Sequence, residues 1–361
     1  MNRIIMHLDL DAFFCAVEEL LDPSLRGKAF AVGGKSDKRG VIASCSYAAR
    51  NMGVRSAMPS FRARQLCPDL IIVGRNGKQY GIKSKEVMKI LRNITPNIEQ
   101  ISIDEAFIDA TELDDDIYSL AIKLQKTILD QTGLSCSLGV ASNKLVAKIA
   151  TDVGKGKIKT TTYPNAIEIV PNGQEANFLA PLPADMLWGV GPKTSENLTR
   201  LGIRTIGDIA KWPSSDITRR FGKNGFDLVR RAQGKDSRRV SNIRNPKSYS
   251  AEITFYEDTT EKQKLQGTIQ KQANRISASL RKANIRGSTI KLKLRWSDFT
   301  TITRQSTLPN PTNNAKKIYE EASNLLSIHW NNIRPVRLLG VGVSGFKNKK
   351  NTEQLSLWDS Q

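Results

Sequence analysis

The chain has 361 residues, 39% of them hydrophobic and 25% charged, a globular mixture that excludes a disordered protein and is long enough for two to four domains. No run of about 18 apolar residues occurs, and acids interrupt the apolar start MNRIIMHLDLDAFF, so neither a membrane span nor a signal peptide is expected and a cytoplasmic location is. The net charge of +20 favours a polyanionic partner, and it is uneven: Arg244 to Lys350 holds 20 Lys and Arg against 7 Asp and Glu, a net +13. Charge alone fits a merely basic surface equally well and identifies no enzyme.

In chain order, Ile4 to Leu10 reads as a buried strand, and Asp11 to Leu21 as a helix with Phe13, Phe14, Val17, Leu20 and Leu21 at helical spacing. Lys28 to Val32 and Gly40 to Ser46 are short strands joined by the turn GGKSDKRG. Ser60 to Leu66 is a helix ending before Pro68, Leu70 to Val73 a strand, and Tyr80 to Arg92 a helix. Apolar strands at Ile98 to Ile103 and Ala106 to Ala110 flank Asp104-Glu105. A helix (Ser119 to Thr132), a strand (Ser135 to Ala141) and a helix (Asn143 to Asp152) follow. This order predicts an α+β domain with an antiparallel-rich sheet, residues 11–77 being inserted after its first strand. From Phe178 to Gly234 short helices are broken by Gly and Pro, and residues 235–243 form a polar basic linker. A second α+β unit occupies 244–346, with strands at Lys247–Phe255, Ser288–Trp296, Thr300–Leu308 and Val336–Gly345 and helices at Thr260–Lys282 and Asn314–Leu326.

Two acidic sites stand at strand ends in apolar surroundings: Asp9 in HLDLDAFF, and Asp104-Glu105 in SIDEAFID. Buried carboxylates are costly unless paired or bound to metal. In a strand Asp9 and Asp11 share one face, and if the Ile4 strand neighbours the Ile101 hairpin, Asp9, Asp104 and Glu105 converge. Oxygen ligands without His or Cys suit Mg²⁺, and two such ions can activate a 3′-hydroxyl and stabilise a leaving pyrophosphate. The plain alternative is that these acids cap turns. Cys15, Cys45, Cys67 and Cys136 form no C-x-x-C pair, and with only His7 and His329 no usual zinc set exists; reduced thiols and structural histidines are expected.

Five segments occur in order: MHLDLDAFFCAVEE, SYAARNMGVRSAMP, SIDEAFID, GVASNKLVAKIATDVGKG and LWGVGPKTSENLTRLGIRTIGDIA. Together they resemble the Y-family DNA polymerases, in their DNA polymerase IV branch, from about Arg3 to Phe346. The resemblance implies an α+β right-hand fold: a ferredoxin-like palm (1–10 and 78–168), small fingers (11–77), a helical thumb with a helix-hairpin-helix (169–234), the linker (235–243) and a little finger (244–346). It implies that Asp9 and Asp104 hold two Mg²⁺ ions, with Glu105 on the catalytic one and Leu10 offering its backbone carbonyl. Tyr47, Arg50 and Lys155 match the groups that grip the triphosphate of an incoming dNTP, which suits guanidinium and ammonium chemistry. Phe14 matches the steric gate against a 2′-hydroxyl, with Phe13 as core, and Val41 and Ala43 match small residues roofing the nascent base pair.

One departure concerns Lys155. The family usually reads K-P-N-G there, whereas this chain reads Lys155-Gly156-Lys157, so a looser loop is expected and Lys155 and Lys157 both remain candidates. Asp11 is not a ligand in the family pattern and stays outside the site. Gly189, Gly191 and Lys193 match the DNA-binding hairpin, where glycines admit a phosphate to backbone N–H groups. The tail 347–361, through Gln354, Leu355, Leu357 and Trp358, resembles a sliding-clamp-binding peptide. The reading is thus a translesion polymerase with low processivity and no proofreading domain, a monomer binding primer–template DNA and no membrane. The rivals are a non-catalytic DNA-binding accessory protein, a UV-mutagenesis polymerase subunit of the same superfamily, and a nuclease with similar metals.

Overall fold

The computed structural model describes residues 3–34, 39–113, 116–243 and 245–346. The chain divides into two compact units, 1–243 and 244–361.

In the first unit, β1 (Ile5–Leu10) leads into α1 (Phe13–Leu21), whose buried Phe13, Cys15, Ala16 and Val17 face the sheet. A small sheet follows, built from β2 (Phe30–Gly33), β3 (Ile42–Cys45) and β4 (Ile71–Val73) in the order β3-β2-β4. Between its strands lie α2 (Tyr47–Asn51) and α3 (Ser60–Leu66). The Ser46 hydroxyl caps α2 by accepting from the Ala49 N–H, so the helix begins at Tyr47. Next come α4 (Gly77–Ile94), β5 (Ile98–Gln100), β6 (Glu105–Asp109), α5 (Ile117–Thr132), β7 (Cys136–Ala141), α6 (Lys144–Lys157) and β8 (Ile167–Ile169). Their sheet has the order β5-β6-β1-β7-β8, antiparallel except for the β7–β8 pair. The expected hairpin and the antiparallel-rich sheet are therefore present, with β1 in the centre.

One expectation fails. Instead of ending at Asp152 and passing into a loose loop, α6 continues to Lys157. Gly154 lies where α6 meets the chain around β8: an added Cβ would come within 3.1 Å of Glu168 Cβ and 3.4 Å of Ala166 Cβ. The glycine lets helix and strand approach rather than ending the helix.

Five short helices complete the unit: α7 (Glu175–Leu179), α8 (Pro192–Arg200), α9 (Ile206–Lys211), α10 (Ser214–Phe221) and α11 (Lys223–Ala232). Residues 235–243 contain no helix or strand, yet they are fastened to the sheet domain. Arg3 donates to the Asp236 carbonyl at 3.0 Å, Asp236 accepts from the Leu145 N–H at 3.2 Å, and Glu99 accepts from the Ser241 N–H at 2.9 Å.

The second unit comprises β9 (Ser248–Thr259), α12 (Lys262–Lys282), β10 (Gly287–Trp296), β11 (Thr301–Thr312), α13 (Ala315–His329) and β12 (Val336–Phe346). Its antiparallel sheet has the order β11-β10-β12-β9. Pro309 and Pro311 fall in the edge strand β11, where a missing N–H is tolerated. Along β10, Ile290, Leu292, Leu294 and Trp296 are buried in a core shared with Leu265, Ile269 and Ile318 of the helices. The intervening Lys291, Lys293 and Arg295 therefore stand on the opposite face.

Candidate active site

The central position of β1 brings the acids together. In the β1–β6 register Asp9 lies directly opposite Glu105, and the Leu10 N–H donates to the Asp104 carbonyl at 3.0 Å. The Ser102 hydroxyl accepts from the N–H groups of Asp104 and Glu105 at 3.2 and 3.0 Å and donates to the Asp104 carboxylate, which fixes the turn carrying both acids. Each carboxylate is engaged by a neighbour: Asp9 by Lys155 Nζ at 2.6 Å, Glu105 by Lys148 Nζ at 2.9 Å, and Asp104 by Ser102. Among the described residues no three His, Cys, Asp or Glu side chains are gathered tightly enough to hold a metal ion. The backbone register converges, and the side chains point to these separate partners.

Electrostatics differ between the acids. Burial lifts the Asp9 carboxyl to about 7; Lys155 opposes the rise, while Glu105 and Asp104 add to it. Burial also works against ionised Glu105, but His7 and Lys148 outweigh it and hold that carboxyl at about 2. His7 is buried and its pKa lowered chiefly by that burial, so Lys148 supplies the full positive charge. The His7 Nδ1 meets the Thr151 hydroxyl at 2.9 Å, the structural role expected of it. Burial disfavours the Lys155 ammonium, but Asp9 and Asp11 outweigh it and hold its pKa above the ordinary lysine range.

Asp11 is wholly buried and accepts from the Ser135 and Ser137 hydroxyls at 2.8 Å each and from the Asn165 N–H at 3.2 Å. These bonds tie it into the sheet rather than the open site. Lys155 Nζ reaches Asp11 at 3.1 Å, whereas Lys157 pairs with Glu168 at 2.7 Å away from the acids. From the extended α6 it is thus Lys155, and not Lys157, that reaches the acids.

A cavity of about 240 Å³ opens beside these acids, and Asp9, Leu10, Phe14, Ala43, Arg50, Asp104 and Lys155 all line it. Sequence reasoning missed four lining residues, Ala12, Ser44, Ser56 and Asp152. Of these only Asp152 carried a signal, standing three residues before Lys155 on the same helix. Phe13, expected as pure core, is buried and also touches the cavity wall. Glu105, Val41 and Tyr47 are not among its lining residues, and Val41 is 42% exposed. Tyr47 lies just behind: the Arg50 guanidinium sits 4.6 Å from its ring centroid, and its buried hydroxyl has no hydrogen-bond partner among the described residues. Burial raises that hydroxyl to about 12, so it stays a hydrogen-bond donor. Arg50 Nε donates to the Cys45 carbonyl at 3.1 Å, which leaves its outer nitrogens for an anion.

The hairpin candidates lie in the same unit. Gly189 has φ +102°, a conformation that glycine alone adopts without strain, and Gly191 forms the N-cap of α8 with open space where a Cβ would stand. Lys193 is exposed in the first turn of α8, beside an open cleft lined by Gly191, Ser195 and Thr199. Gln354, Leu355, Leu357 and Trp358 lie outside the described residues. No helix among those described is long and apolar enough to cross a membrane.

The impB/mucB/samB family matches residues 8–152, and its C-terminal domain matches 246–357. DNA polymerase IV of Listeria innocua is 39% identical over 349 residues, 96% of each chain. That of Dehalococcoides mccartyi is 38% identical over 95% of this chain and 87% of its own. Among solved structures, a Y-family chimera of Dbh and Dpo4 superposes with a TM-score of 0.82 at 27% identity, covering 95% of this chain and 99% of that one. An insertion ternary complex of Dbh DNA polymerase gives 0.67 at the same identity and coverage. The register that sets Asp9 against Glu105 thus belongs to a protein related along almost its whole length to DNA polymerases, and the chain is a DNA-directed DNA polymerase of the Y family, in its DNA polymerase IV branch.

Proposed function

We propose that this polymerase performs translesion synthesis by transferring a nucleotidyl group from a dNTP to a primer 3′-hydroxyl, with the 240 Å³ cavity as the site of transfer. A 3′-oxygen to α-phosphorus bond forms, and the bond to the leaving pyrophosphate breaks. The observation that carries the reading is the placing of Asp9, Leu10 and Asp104 on the wall of the cavity that also holds Arg50 and Lys155. The donor chemistry fits Mg²⁺: Asp9, Asp104 and the Leu10 carbonyl on the cavity wall are hard oxygens, Glu105 stands beside Asp9 in the strand register, and no His or Cys lines the cavity among the described residues. Two bound Mg²⁺ ions would acidify the 3′-hydroxyl and offset charge on the departing pyrophosphate. Arg50, Lys155 and the free Tyr47 hydroxyl hold the triphosphate, Phe14 packs beneath the sugar, and Ala43 leaves room above the base pair. The proposed palm, fingers, thumb and little finger keep the boundaries given above.

Gly189, Gly191 and Lys193 grip duplex phosphates, and the basic face of the second unit adds a further grip without reading sequence. The tail residues Gln354, Leu355, Leu357 and Trp358 bind a sliding clamp and compensate for low processivity. The enzyme works as a cytoplasmic monomer without proofreading. Extension of a primed template with Mg²⁺ tests the chemistry: the wild type adds template-directed nucleotides, and Asp104→Asn adds none. Addition that ignores the template, or equal extension by both proteins, rejects the assignment.

A further inference from the structure

A second cleft opens on the other side of Arg50. Its lining is Arg50, Asn51, Arg55, Lys159, Thr160 and Thr161, and its volume is about 720 Å³. Arg50 belongs to both this cleft and the nucleotide cavity, so it forms the partition between them. The cleft straddles two segments far apart in sequence, the end of α2 and the chain just after α6. The Asn51 amide fastens them by donating to the Thr160 carbonyl at 3.1 Å. The Arg55 guanidinium holds its place by donating to the Arg50 and Val54 carbonyls, and neither it nor Lys159 has an acidic partner among the described residues. Three cationic side chains, two hydroxyls and an amide, with no carboxylate in the lining, form a surface for a small polyanion.

The reaction proposed above makes such an anion at this partition. Its leaving group departs with the bonding electron pair and full phosphate charge, next to Arg50. We propose that the cleft is the exit path of the product pyrophosphate, with Arg55 and Lys159 as its receiving groups. The inference rests on the proposed nucleotidyl transfer. Arg50 holds the β- and γ-phosphates while they are part of the nucleotide. Once the α–β bond is broken, the freed anion passes Arg50 and meets Arg55 and Lys159, which lower its energy on the way to solvent.

The test uses the full chain on a primed template. Single-nucleotide addition is measured against added inorganic pyrophosphate, together with the reverse reaction, in which pyrophosphate attacks the terminal phosphodiester, regenerates a dNTP and shortens the primer by one. Lys159→Ala and Arg55→Gln should each raise the inhibition constant for pyrophosphate about threefold, and together about tenfold, and should slow the reverse reaction in parallel. The dNTP KM and the DNA Kd should stay near their wild-type values. An unchanged inhibition constant overturns the proposal. So does a dNTP KM that rises by the same factor, which would make the cleft part of the triphosphate pocket, or a weakened DNA Kd, which would give it to template phosphates. Lys159→Ala removes a side chain with no partner among the described residues, so it decides the matter even if Arg55→Gln disturbs the end of α2. A wild type that adds no nucleotide at all would instead overturn the underlying reading.

Discussion

The Phe14 ring lies flat on the ring of Tyr80, centroids 4.3 Å apart and planes 12° apart, and the Tyr80 hydroxyl is held by Glu18. Tyr80 is 2% exposed, so the stack gives Phe14 a rigid backing where it meets the 240 Å³ cavity. Phe14→Ala should admit ribonucleotides, lowering discrimination against them about a hundredfold. Tyr80→Phe keeps the stack and should leave discrimination unchanged, whereas Tyr80→Leu removes it and should lose part. Incorporation of matched ribo- and deoxyribonucleotides in single-turnover reactions measures this. Unchanged selectivity in Phe14→Ala would make the ring an ordinary core residue.

Asp104→Ala should lower nucleotide addition by about a thousandfold or more, since an electrostatic term of several kcal/mol is removed from the transition state. Binding to primer–template, followed by fluorescence anisotropy, should be nearly unaffected, because the proposed DNA contacts lie elsewhere. Loss of both together would indicate that the turn held by Ser102 has collapsed.

Asp236 offers a pH-dependent test. Its carboxylate accepts from the Leu145 N–H in the first turn of α6 and pairs with Arg238 at 2.8 Å. Burial opposes ionisation, but Arg238 and the backbone donors outweigh it and hold the pKa below the ordinary aspartate range. In the interval between the two values the unfolded chain binds more protons, so stability is lost as the pH falls through it. The contribution is complete above about pH 4, the unfolded value. Asp236→Asn should therefore destabilise the first unit by about 1–2 kcal/mol at pH 7. The gap to wild type should narrow in strong acid. Thermal midpoints at both pH values measure it, and an equal gap would show that only the side chain's shape matters.

Most of the fold was legible because burial imposes a period: the alternation along β10 and the helical spacing of α1 and α5 are visible in the sequence. Two short elements, α2 and β8, were not. The first depends on the Ser46 cap and the second on pairing with β7, a partner that no local pattern names. The helix α6 runs past the expected end at Asp152 to Lys157, because Gly154 serves as a close-packing site against the chain around β8 instead of opening a looser loop. At the active site, residue types and order named Asp9, Asp104 and Glu105, but their adjacency is a property of strand register. The engagement of Asp9 by Lys155, and of Glu105 by Lys148, becomes visible only once the helix lies on the sheet.

The last prediction concerns the open face of the second unit. Lys291, Lys293 and Arg295 alternate with the buried Leu292, Leu294 and Trp296, and Lys291 and Lys293 register with Gly342 and Gly340 of β12. The glycines place no side chain beside these lysines on β12, and the next neighbour across Gly340 is Glu252 of β9. Lys293 pairs with the exposed Glu252 at 2.8 Å, an interaction that contributes little to stability and is readily exchanged for a phosphate. Replacing Lys291, Lys293 and Arg295 by alanine should weaken DNA binding and reduce the log–log salt slope by about 0.9 for each phosphate contact removed. Lys316 and Lys317 are exposed on α13, across the sheet from this face, and replacing them should leave the slope as it was. That contrast separates a docking face from the general positive charge of the unit. Titrations of a primer–template over a range of salt concentrations decide between them: equal slopes for the two sets of variants would mean that the charge acts only as a diffuse field.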